Sequence, residues 1–184
     1  MIIQIGPRIS KICNPFDRIV LKRLCKQDSV FSEDLQINFI GDISNEVRQE
    51  LEVYDLISKG NFVGRVSHQK AIEYQHKAQV LLLLIPNVKE SKGIVTGKLF
   101  EYLAAKRPIL AIGPEDGDLS KILKDTNAGV VTGYENEEKL FLEIQKLYTH
   151  FKNGTLEVAS KNIEQFHRRK LTNHLATIIK QIVE

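Results

Sequence analysis

The amino-acid sequence predicts an α/β protein with a doubly wound, Rossmann-like parallel sheet of about six strands and helices on both faces. Short apolar segments with strand character alternate with amphipathic helical segments along the 184 residues, an order that produces parallel sheets with crossover helices. Residues 80–85 are apolar on both faces, as a central strand covered by helices on both sides should be. We expect residues 1–184 to form one domain, because no linker or internal repeat divides them.

Six segments carry the strand signal: residues 1–5, 35–40, 61–66, 80–85, 109–112 and 128–132. Right-handed crossovers between them place the helices on both faces of the sheet. Ligands of such sheets bind at the carboxyl ends of the strands, near the point where the strand order reverses. The loops around Gly64, Thr96 and Gly113 are predicted to lie at that edge.

Helix starts are predicted where a polar side chain can cap the first turn and apolar residues then repeat at helical spacing. In the helix that begins after Ser67, we expect Ala71, Tyr74 and Ala78 to share one side. From about residue 156 the chain is predicted to be helical to its end, with Phe166 among its apolar anchors. The predicted capping residues are Asn14, Ser44, Ser67 and Asp118, and a further helix is predicted to open at Thr96.

Composition and charge argue against several classes of protein. The net charge of +3 comes without a concentrated basic stripe, so the sequence does not indicate a nucleic-acid binder. Cys13 and Cys25 fit neither a disulfide framework nor a zinc site, so we expect reduced thiols in a cytoplasmic protein. The longest apolar run is too short to span a bilayer, which leaves peripheral association with a membrane open.

The segment from Thr96 to Glu101 carries the clearest chemical signal. It follows the central strand, opens a helix with Gly97 and Lys98 in its first turn, and places Glu101 on the same face as Lys98. Backbone N–H groups at a helix N-terminus can hold a phosphate, and a carboxylate one turn further along can accept hydrogen bonds from ribose hydroxyls. The pattern indicates a nucleoside-diphosphate site. The alternative is an ordinary helix start with a Lys98–Glu101 pair.

Residues 97–111 read Gly-Lys-Leu-Phe-Glu-Tyr-Leu-Ala-Ala-Lys-Arg-Pro-Ile-Leu-Ala. This run resembles the signature of nucleotide-sugar-dependent glycosyltransferases with the two-domain GT-B fold, especially the large retaining family four. Residues 40–41, 62–68, 79–82 and 128–131 are similar to further segments of that family. The resemblance extends over most of the chain and implies the C-terminal, donor-binding domain of such an enzyme.

The resemblance also implies roles for individual residues. Glu101 would accept the ribose hydroxyls, and Arg65 and Val66 would lie against the base. Arg8, Lys11 and Lys98 would neutralise the departing diphosphate, although Arg8 and Lys11 could equally be plain surface cations. The full set of implied nucleotide-binding residues is Gly6, Arg65, Val66, Thr96, Gly97, Lys98, Leu99 and Glu101.

Two features bear on the donor sugar and on metals. Many members of this family carry a further glutamate at a position that corresponds approximately to Gly93 here. The nearest carboxylate in this sequence, Glu90, is out of register with that position. This leaves the donor sugar and the stereochemical outcome open. Residues 116–118, Asp-Gly-Asp, resemble a metal motif of another glycosyltransferase fold, but they lie in a predicted turn where Asp118 makes a good N-cap. We therefore expect neither a metal nor another cofactor.

The leading hypothesis is a glycosyltransferase of the hexosyltransferase type, acting in polysaccharide biosynthesis with a nucleoside-diphosphate sugar, such as a UDP sugar, as donor. The acceptor would be a glycan or a lipid-linked sugar. The expected partner is an N-terminal acceptor domain that this chain lacks, so the chain alone would be an inactive fragment. The alternatives are a nucleotide-sugar epimerase of similar architecture and a non-catalytic nucleotide-binding module that works through a partner chain. We expect a cytoplasmic location, with peripheral association at the inner face of the membrane left open.

Overall fold

The computed structural model describes residues 1–6 and 16–183. They contain one six-stranded sheet, parallel throughout, in the order β3-β2-β1-β4-β5-β6. The predicted fold class is confirmed, and each predicted strand segment overlaps an observed strand. The strands are β1 (Ile2–Ile5), β2 (Gln36–Ile40), β3 (Gly60–Gly64), β4 (Val80–Leu84), β5 (Ile109–Ile112) and β6 (Gly129–Thr132).

Helices connect the strands and cover both faces of the sheet. In chain order they are α1 (Phe16–Gln27), α2 (Ser29–Asp34), α3 (Asn45–Val53), α4 (His68–Lys77), α5 (Gly97–Ala105), α6 (Asp118–Thr126), α7 (Glu137–Lys152) and α8 (Arg168–Val183). None of the helices in the described part of the chain is long and apolar enough to cross a membrane.

Two separate apolar cores lie on opposite faces of the sheet. On the first face, α1, α2, α3 and α7 pack against side chains such as Ile3, Ile37 and Leu82. On the second face, α5 and α6 pack against the alternate residues of the strands, including Leu81 and Ala111. Because β4 and β5 contribute to both cores, their side chains are apolar on both faces, as a strand buried on both sides requires.

The second face becomes polar where it passes from β1 to β3. Gln4 is aligned with Asn38, and Asn38 is aligned with Asn61, across three neighbouring strands. Since Ile3 and Ile5 point into the first core, Gln4 faces the opposite side of the sheet. The Asn61 side-chain amide donates to Asn38 Oδ1 at 3.0 Å. Two buried polar side chains, Gln4 and Asn38, therefore lie on the face that also carries α5.

Helix α2 was not among the predicted elements. Asp28 caps it by accepting a hydrogen bond from the Phe31 backbone N–H at 2.9 Å. Phe31 is buried in the first core, where its ring meets the Tyr148 ring edge-on with centroids 4.9 Å apart. This short helix forms because one cap and one buried aromatic side chain are sufficient when α7 packs against it.

Two predictions about helix boundaries were wrong. Gly117, not Asp118, is the N-cap of α6, and Asp118 is the first helical residue, where its charge is favourable next to the helix N-terminus. The chain is also not helical from residue 156. Residues 153–162 run without regular helix, and the Lys161 backbone N–H donates to the Thr126 carbonyl at 2.8 Å. A short 3₁₀ turn, Ile163–Phe166, then precedes α8.

Candidate functional site

The reversal in strand order places the candidate site between β1 and β4. The chain builds β2 and β3 on one side of β1, then returns to build β4 on the other side. Gly6 follows β1 directly, and α5 begins after β4 and the loop that follows it. A cleft between neighbouring strands that diverge in this way is where doubly wound sheets bind ligands.

Gly6 lies against the first turns of α5. A Cβ built at Gly6 would lie 3.1 Å from the Tyr102 hydroxyl oxygen and 3.3 Å from the side-chain carbons Cδ and Cε of Lys98. Both contacts are closer than a side chain normally tolerates, so glycine is the residue that permits this approach. The structure thus brings together Gly6 and Lys98, two residues predicted for the diphosphate site from distant parts of the sequence.

The Tyr102 side chain is buried in this contact. Desolvation raises the pKa of its hydroxyl well above the ordinary value, with a smaller raising effect from the neighbouring Glu101 and a lowering effect from the Gly6 backbone. A tyrosine is neutral at physiological pH even at its ordinary pKa, so the shift leaves the Tyr102 hydroxyl an uncharged polar neighbour of Gly6.

The first turn of α5 offers some of its predicted residues to a ligand and buries others. Thr96 is the N-cap, yet its hydroxyl makes no capping bond and is buried without a partner among the described residues. Gly97 is exposed and Lys98 half-buried, whereas Leu99 is fully buried in the second core. The Leu99 backbone N–H donates to the Thr96 carbonyl at 3.1 Å. A ligand would therefore meet Gly97 and Lys98 before it could reach Leu99.

Glu101 lies one turn further along α5 and contacts a neighbouring helix. Its carboxylate oxygen Oε2 accepts a hydrogen bond from the side-chain amide of Gln75, on α4, at 2.9 Å. Glu101 is half-buried, and Gln75 is only 5% exposed. The predicted ribose acceptor is thus held by a residue that the sequence analysis did not identify.

A groove of about 570 Å³ runs between α4, α5 and the start of α8. It extends from the N-terminal ends of α4 and α5, at His68 and Gly97, towards their C-terminal ends. Phe166 lies beside Phe100 with ring centroids 5.5 Å apart. The groove is lined by His68, Ile72, Gln75, His76, Gly97, Phe100, Glu101, Ala104, Ala105, Phe166, Arg168 and Leu171.

The residues predicted to lie against the base follow β3 in the loop that leads to α4. Gly64 ends β3 with a φ of +74°, a conformation that glycine adopts without strain. The Arg65 side chain is 86% exposed and pairs with Asp42, Nε to Oδ2 at 2.5 Å, while Val66 is half-buried. His68, the first residue of α4, continues from this loop into the groove. The loop and Glu101 therefore border the same region through His68.

Residues 116–118 do not gather carboxylates for a metal ion. Asp116 pairs with Lys92 at 2.6 Å, and Asp118 pairs with Lys121 at 2.8 Å. The hydrogen bond from Lys92 holds the pKa of Asp116 below its ordinary value. No group of three or more His, Cys, Asp or Glu residues with metal-binding geometry occurs within residues 1–6 and 16–183.

Gly93, the position predicted to correspond to a glutamate of family four, has no neighbour among the described residues that would restrict a side chain. Gly93 ends a 3₁₀ turn, Ser91–Gly93, and a Cβ built there would meet nothing within 4 Å. The backbone therefore does not require glycine at this position. Arg8 and Lys11, predicted for the diphosphate, lie outside the described residues.

Gln75 was not predicted, because the sequence placed only Ala71, Tyr74 and Ala78 together on one side of α4. Ala71 and Tyr74 are half-buried, whereas Gln75 is buried in the helix and Ala78 immediately after it. The available signal was Ile72, three residues before Gln75, since both line the groove. A glutamine on such a face looks like solvent-exposed polarity until its partner on α5 is known.

Comparison with known proteins places the fold. No protein-family model and no curated protein matches the sequence. Among solved structures, the chain is similar to WaaG, a glycosyltransferase involved in lipopolysaccharide biosynthesis, with a TM-score of 0.61 and 18% identity over 84% of this chain and 39% of that one. It is also similar to sucrose-phosphate synthase from Thermosynechococcus elongatus, with a TM-score of 0.67 and 16% identity over 99% of this chain and 45% of that one.

A third likeness is to a putative UDP-N-acetylglucosamine 2-epimerase from Listeria monocytogenes, with a TM-score of 0.62 and 13% identity over 100% of this chain and 45% of that one. The chain thus spans less than half the length of each of these three proteins. Identities at this level establish a shared fold and do not single out family four. The chain therefore has the Rossmann-like fold found in these structures.

Proposed function

We propose that this chain is the donor-binding domain of a glycosyltransferase that uses a nucleoside-diphosphate sugar. The observation that carries the proposal is the approach of Gly6 to Lys98 at the strand reversal, with Glu101 one turn further along α5. Three groups suit the binding of a nucleoside diphosphate. They are a glycine that lets the ligand approach, a cation at a helix N-terminus, and a carboxylate one turn further along that can reach the ribose. The resemblance of residues 97–111 to family four supports the same assignment.

In this proposal the diphosphate lies at Thr96, Gly97 and Lys98, near Gly6. Glu101 accepts hydrogen bonds from the ribose hydroxyls, and the loop that contains Arg65 and Val66 borders the base. The N-terminal dipole of α5 and the Lys98 ammonium group stabilise the negative charge of the departing diphosphate, with Arg8 and Lys11 as further cations. Because these groups supply the positive charge, the proposed chemistry needs no metal ion and no cofactor.

The complete enzyme would need a second domain. Since the chain spans less than half of the three solved structures described above, we propose an N-terminal acceptor domain as its partner. The acceptor would be a glycan or a lipid-linked sugar in polysaccharide biosynthesis. Such an acceptor would place the enzyme in the cytoplasm, with peripheral association at the inner face of the membrane.

An epimerase is the second candidate, because the likeness to a putative UDP-N-acetylglucosamine 2-epimerase extends over 100% of this chain. The donor site would then serve as a substrate site. Analysis of products from the full-length protein separates the two functions, since a transferase requires an acceptor and an epimerase does not. A non-catalytic nucleotide-binding module would give neither product.

The nucleotide site is tested by thermal shift of this chain with UDP and GDP at millimolar concentration. A ligand at about 100 times its Kd stabilises the folded state by about 2.7 kcal/mol, which raises the Tm of a domain of this size by several degrees. Replacing Glu101 by Ala should abolish the shift. Replacing Glu90 by Ala, an exposed carboxylate outside the groove, should leave it intact. If neither UDP nor GDP raises the Tm, the proposed site is refuted.

A further inference from the structure

We propose that Gln75 is a positioning residue that orients the Glu101 carboxylate and thereby sets the preference of the site for a ribose over a deoxyribose. The inference rests on the proposed function and concerns a residue of α4 that carries no signal in the family-like motif. Its basis is the 2.9 Å hydrogen bond from the Gln75 Nε2 atom to the Glu101 Oε2 atom.

The two polar atoms of the Gln75 side-chain amide differ in their hydrogen bonding. The side chain is 5% exposed, its Nε2 donates to Glu101, and its Oε1 is buried without a hydrogen-bond partner among the described residues. Buried polar atoms are normally paired, so an unpaired acceptor needs an explanation. Since the Gln75 carbonyl is unpaired within the described part of the chain and costs stability, the visible contribution of this side chain is the hydrogen bond that it donates to Glu101.

Fixing one carboxylate oxygen matters for recognition of hydroxyl groups. The terminal torsion of a glutamate side chain is broad, so an untethered carboxylate rotates among many orientations. A donor on Oε2 restricts that rotation and leaves Oε1 with its lone pairs for the ligand. A carboxylate held in this way can accept hydrogen bonds from ribose hydroxyls without first losing rotational freedom.

Helix α4 is itself anchored at both ends, which makes it a suitable support. At its start, the Ser67 hydroxyl accepts a hydrogen bond from the Lys70 backbone N–H at 3.2 Å. At its end, the Arg107 side chain, which follows α5, donates from Nε to the His76 carbonyl at 2.9 Å. The Arg107 contact ties the C-terminal ends of α4 and α5 together, so Gln75 is presented to Glu101 from a fixed distance.

The test compares the binding of UDP and 2′-deoxy-UDP to the whole chain by calorimetry, with GDP and 2′-deoxy-GDP as the pair if GDP is the nucleotide that binds. The Gln75→Met variant keeps the shape of the side chain and removes its donor. We expect the preference for the ribonucleotide to fall about 3- to 10-fold, as for the loss of a single hydrogen bond, while the affinity for the deoxynucleotide stays nearly constant.

Two further variants make the result specific. In Gln75→Lys, a donor remains on a side chain that is longer by a single methylene group and can pair with the Glu101 carboxylate, so the ribose preference should be retained. Gln79→Met is the matched control: it removes the hydrogen bond from the Ile2 backbone N–H to Gln79 Oε1, at 2.7 Å, which lies outside the groove. That variant should keep the wild-type ribose preference even if its Tm falls.

The outcomes separate this inference from the proposed function. If the unmodified chain binds no nucleoside diphosphate, both are overturned. If it binds and Glu101→Gln loses the ribose preference while folded Gln75→Met retains it, Gln75 only packs α4 against α5 and the inference alone is overturned. If Gln75→Met fails to fold, Gln75→Lys decides, because a folded lysine variant without the preference contradicts the positioning role.

Discussion

Gly6 is the residue at which the sheet approaches the N-terminal half of α5. Its lack of a side chain allows the Tyr102 hydroxyl and the Lys98 side chain to close over the end of β1. The same absence would allow a diphosphate to approach the backbone at the strand reversal. The packing of the site and its proposed chemistry therefore depend on one position.

Replacing Gly6 by Ala should weaken nucleotide binding about 3- to 10-fold. The new Cβ would displace Lys98, whose methylene chain can move, and would press on Tyr102, which is buried and cannot move freely. Overpacking of this kind typically costs about 1–3 kcal/mol, so the Tm should fall as well. Calorimetry with UDP measures the first effect and thermal unfolding the second. The control is Gly93→Ala, since a Cβ at Gly93 meets nothing within 4 Å; wild-type affinity in Gly6→Ala would contradict the argument.

At the scale of residues, the sequence points to charged groups more readily than to the groups that contact them. Lys98 and Glu101 are predicted site residues because their types and spacing suit a helix start that could hold a phosphate and a ribose. Gln75 could not, because a glutamine gains its meaning from a partner on another helix, and spacing within α4 does not reveal that partner. Long-range side-chain pairs depend on tertiary packing, which a single sequence does not display.

At the scale of elements, α2 and α7 are joined by a buried aromatic contact and a charged hydrogen-bond cluster. Asp34 Oδ2, at the end of α2, accepts hydrogen bonds from the Tyr148 hydroxyl at 2.8 Å and from the Lys152 ammonium group at 3.0 Å. These two bonds, with that of Tyr148 the larger contributor, lower the pKa of Asp34 below its ordinary value. The cluster explains how a helix of only six residues is held in place.

This cluster predicts an acid-sensitive contribution to stability. A carboxyl group whose pKa is lowered by folding stabilises the folded state at pH values above the unfolded pKa, near 3.8, and loses that contribution as the pH falls through the lowered folded pKa. Asp34→Asn should therefore reduce the Tm by a few degrees near neutral pH, and the difference from wild type should shrink as the pH approaches 2. Thermal unfolding from pH 2 to 7 measures this effect. Asp125→Asn, which alters an exposed carboxylate on α6, should show no such pH-dependent difference; equal behaviour of the two variants would contradict the assignment.

Strands and long helices followed from the sequence because their periodic patterns are local. Each strand was found within a few residues of its predicted bounds, and Ser67 caps α4 as predicted, with its hydroxyl accepting from the Lys70 N–H. The irregular segment of residues 153–162 was taken for helix because its stability comes from outside itself. Its backbone bonds to Thr126, and Asn127 donates from its side chain to the Ala159 carbonyl at 3.1 Å. Contacts to a distant helix end override local helical preference.

At the scale of the whole molecule, the helices are unequally involved in the fold. Helices α5 and α7 contribute buried side chains to the two cores, whereas every residue of α8 from 168 to 182 is exposed. Apolar residues nevertheless recur along one side of α8 at helical spacing, and they are the large apolar side chains Leu171, Leu175, Ile178, Ile179 and Ile182. Leu171 lines the groove beside α4 and α5, but the stripe as a whole is exposed and adds no buried side chain to either core, so it contributes little to the stability of this domain.

The double substitution Leu175→Asp and Ile179→Asp should therefore leave the Tm within about 2 °C of wild type, as expected for surface positions whose substitution changes stability by less than about 0.5 kcal/mol. Both side chains are more than half exposed, at 57% and 51%, so the aspartates would remain hydrated. The matched control is Leu140→Asp in α7, where the side chain is 2% exposed and a buried charge would cost several kcal/mol. Thermal unfolding compares the variants at low protein concentration. A large loss of Tm in the α8 variant would show that the stripe packs against this domain in solution and would contradict the exposed arrangement.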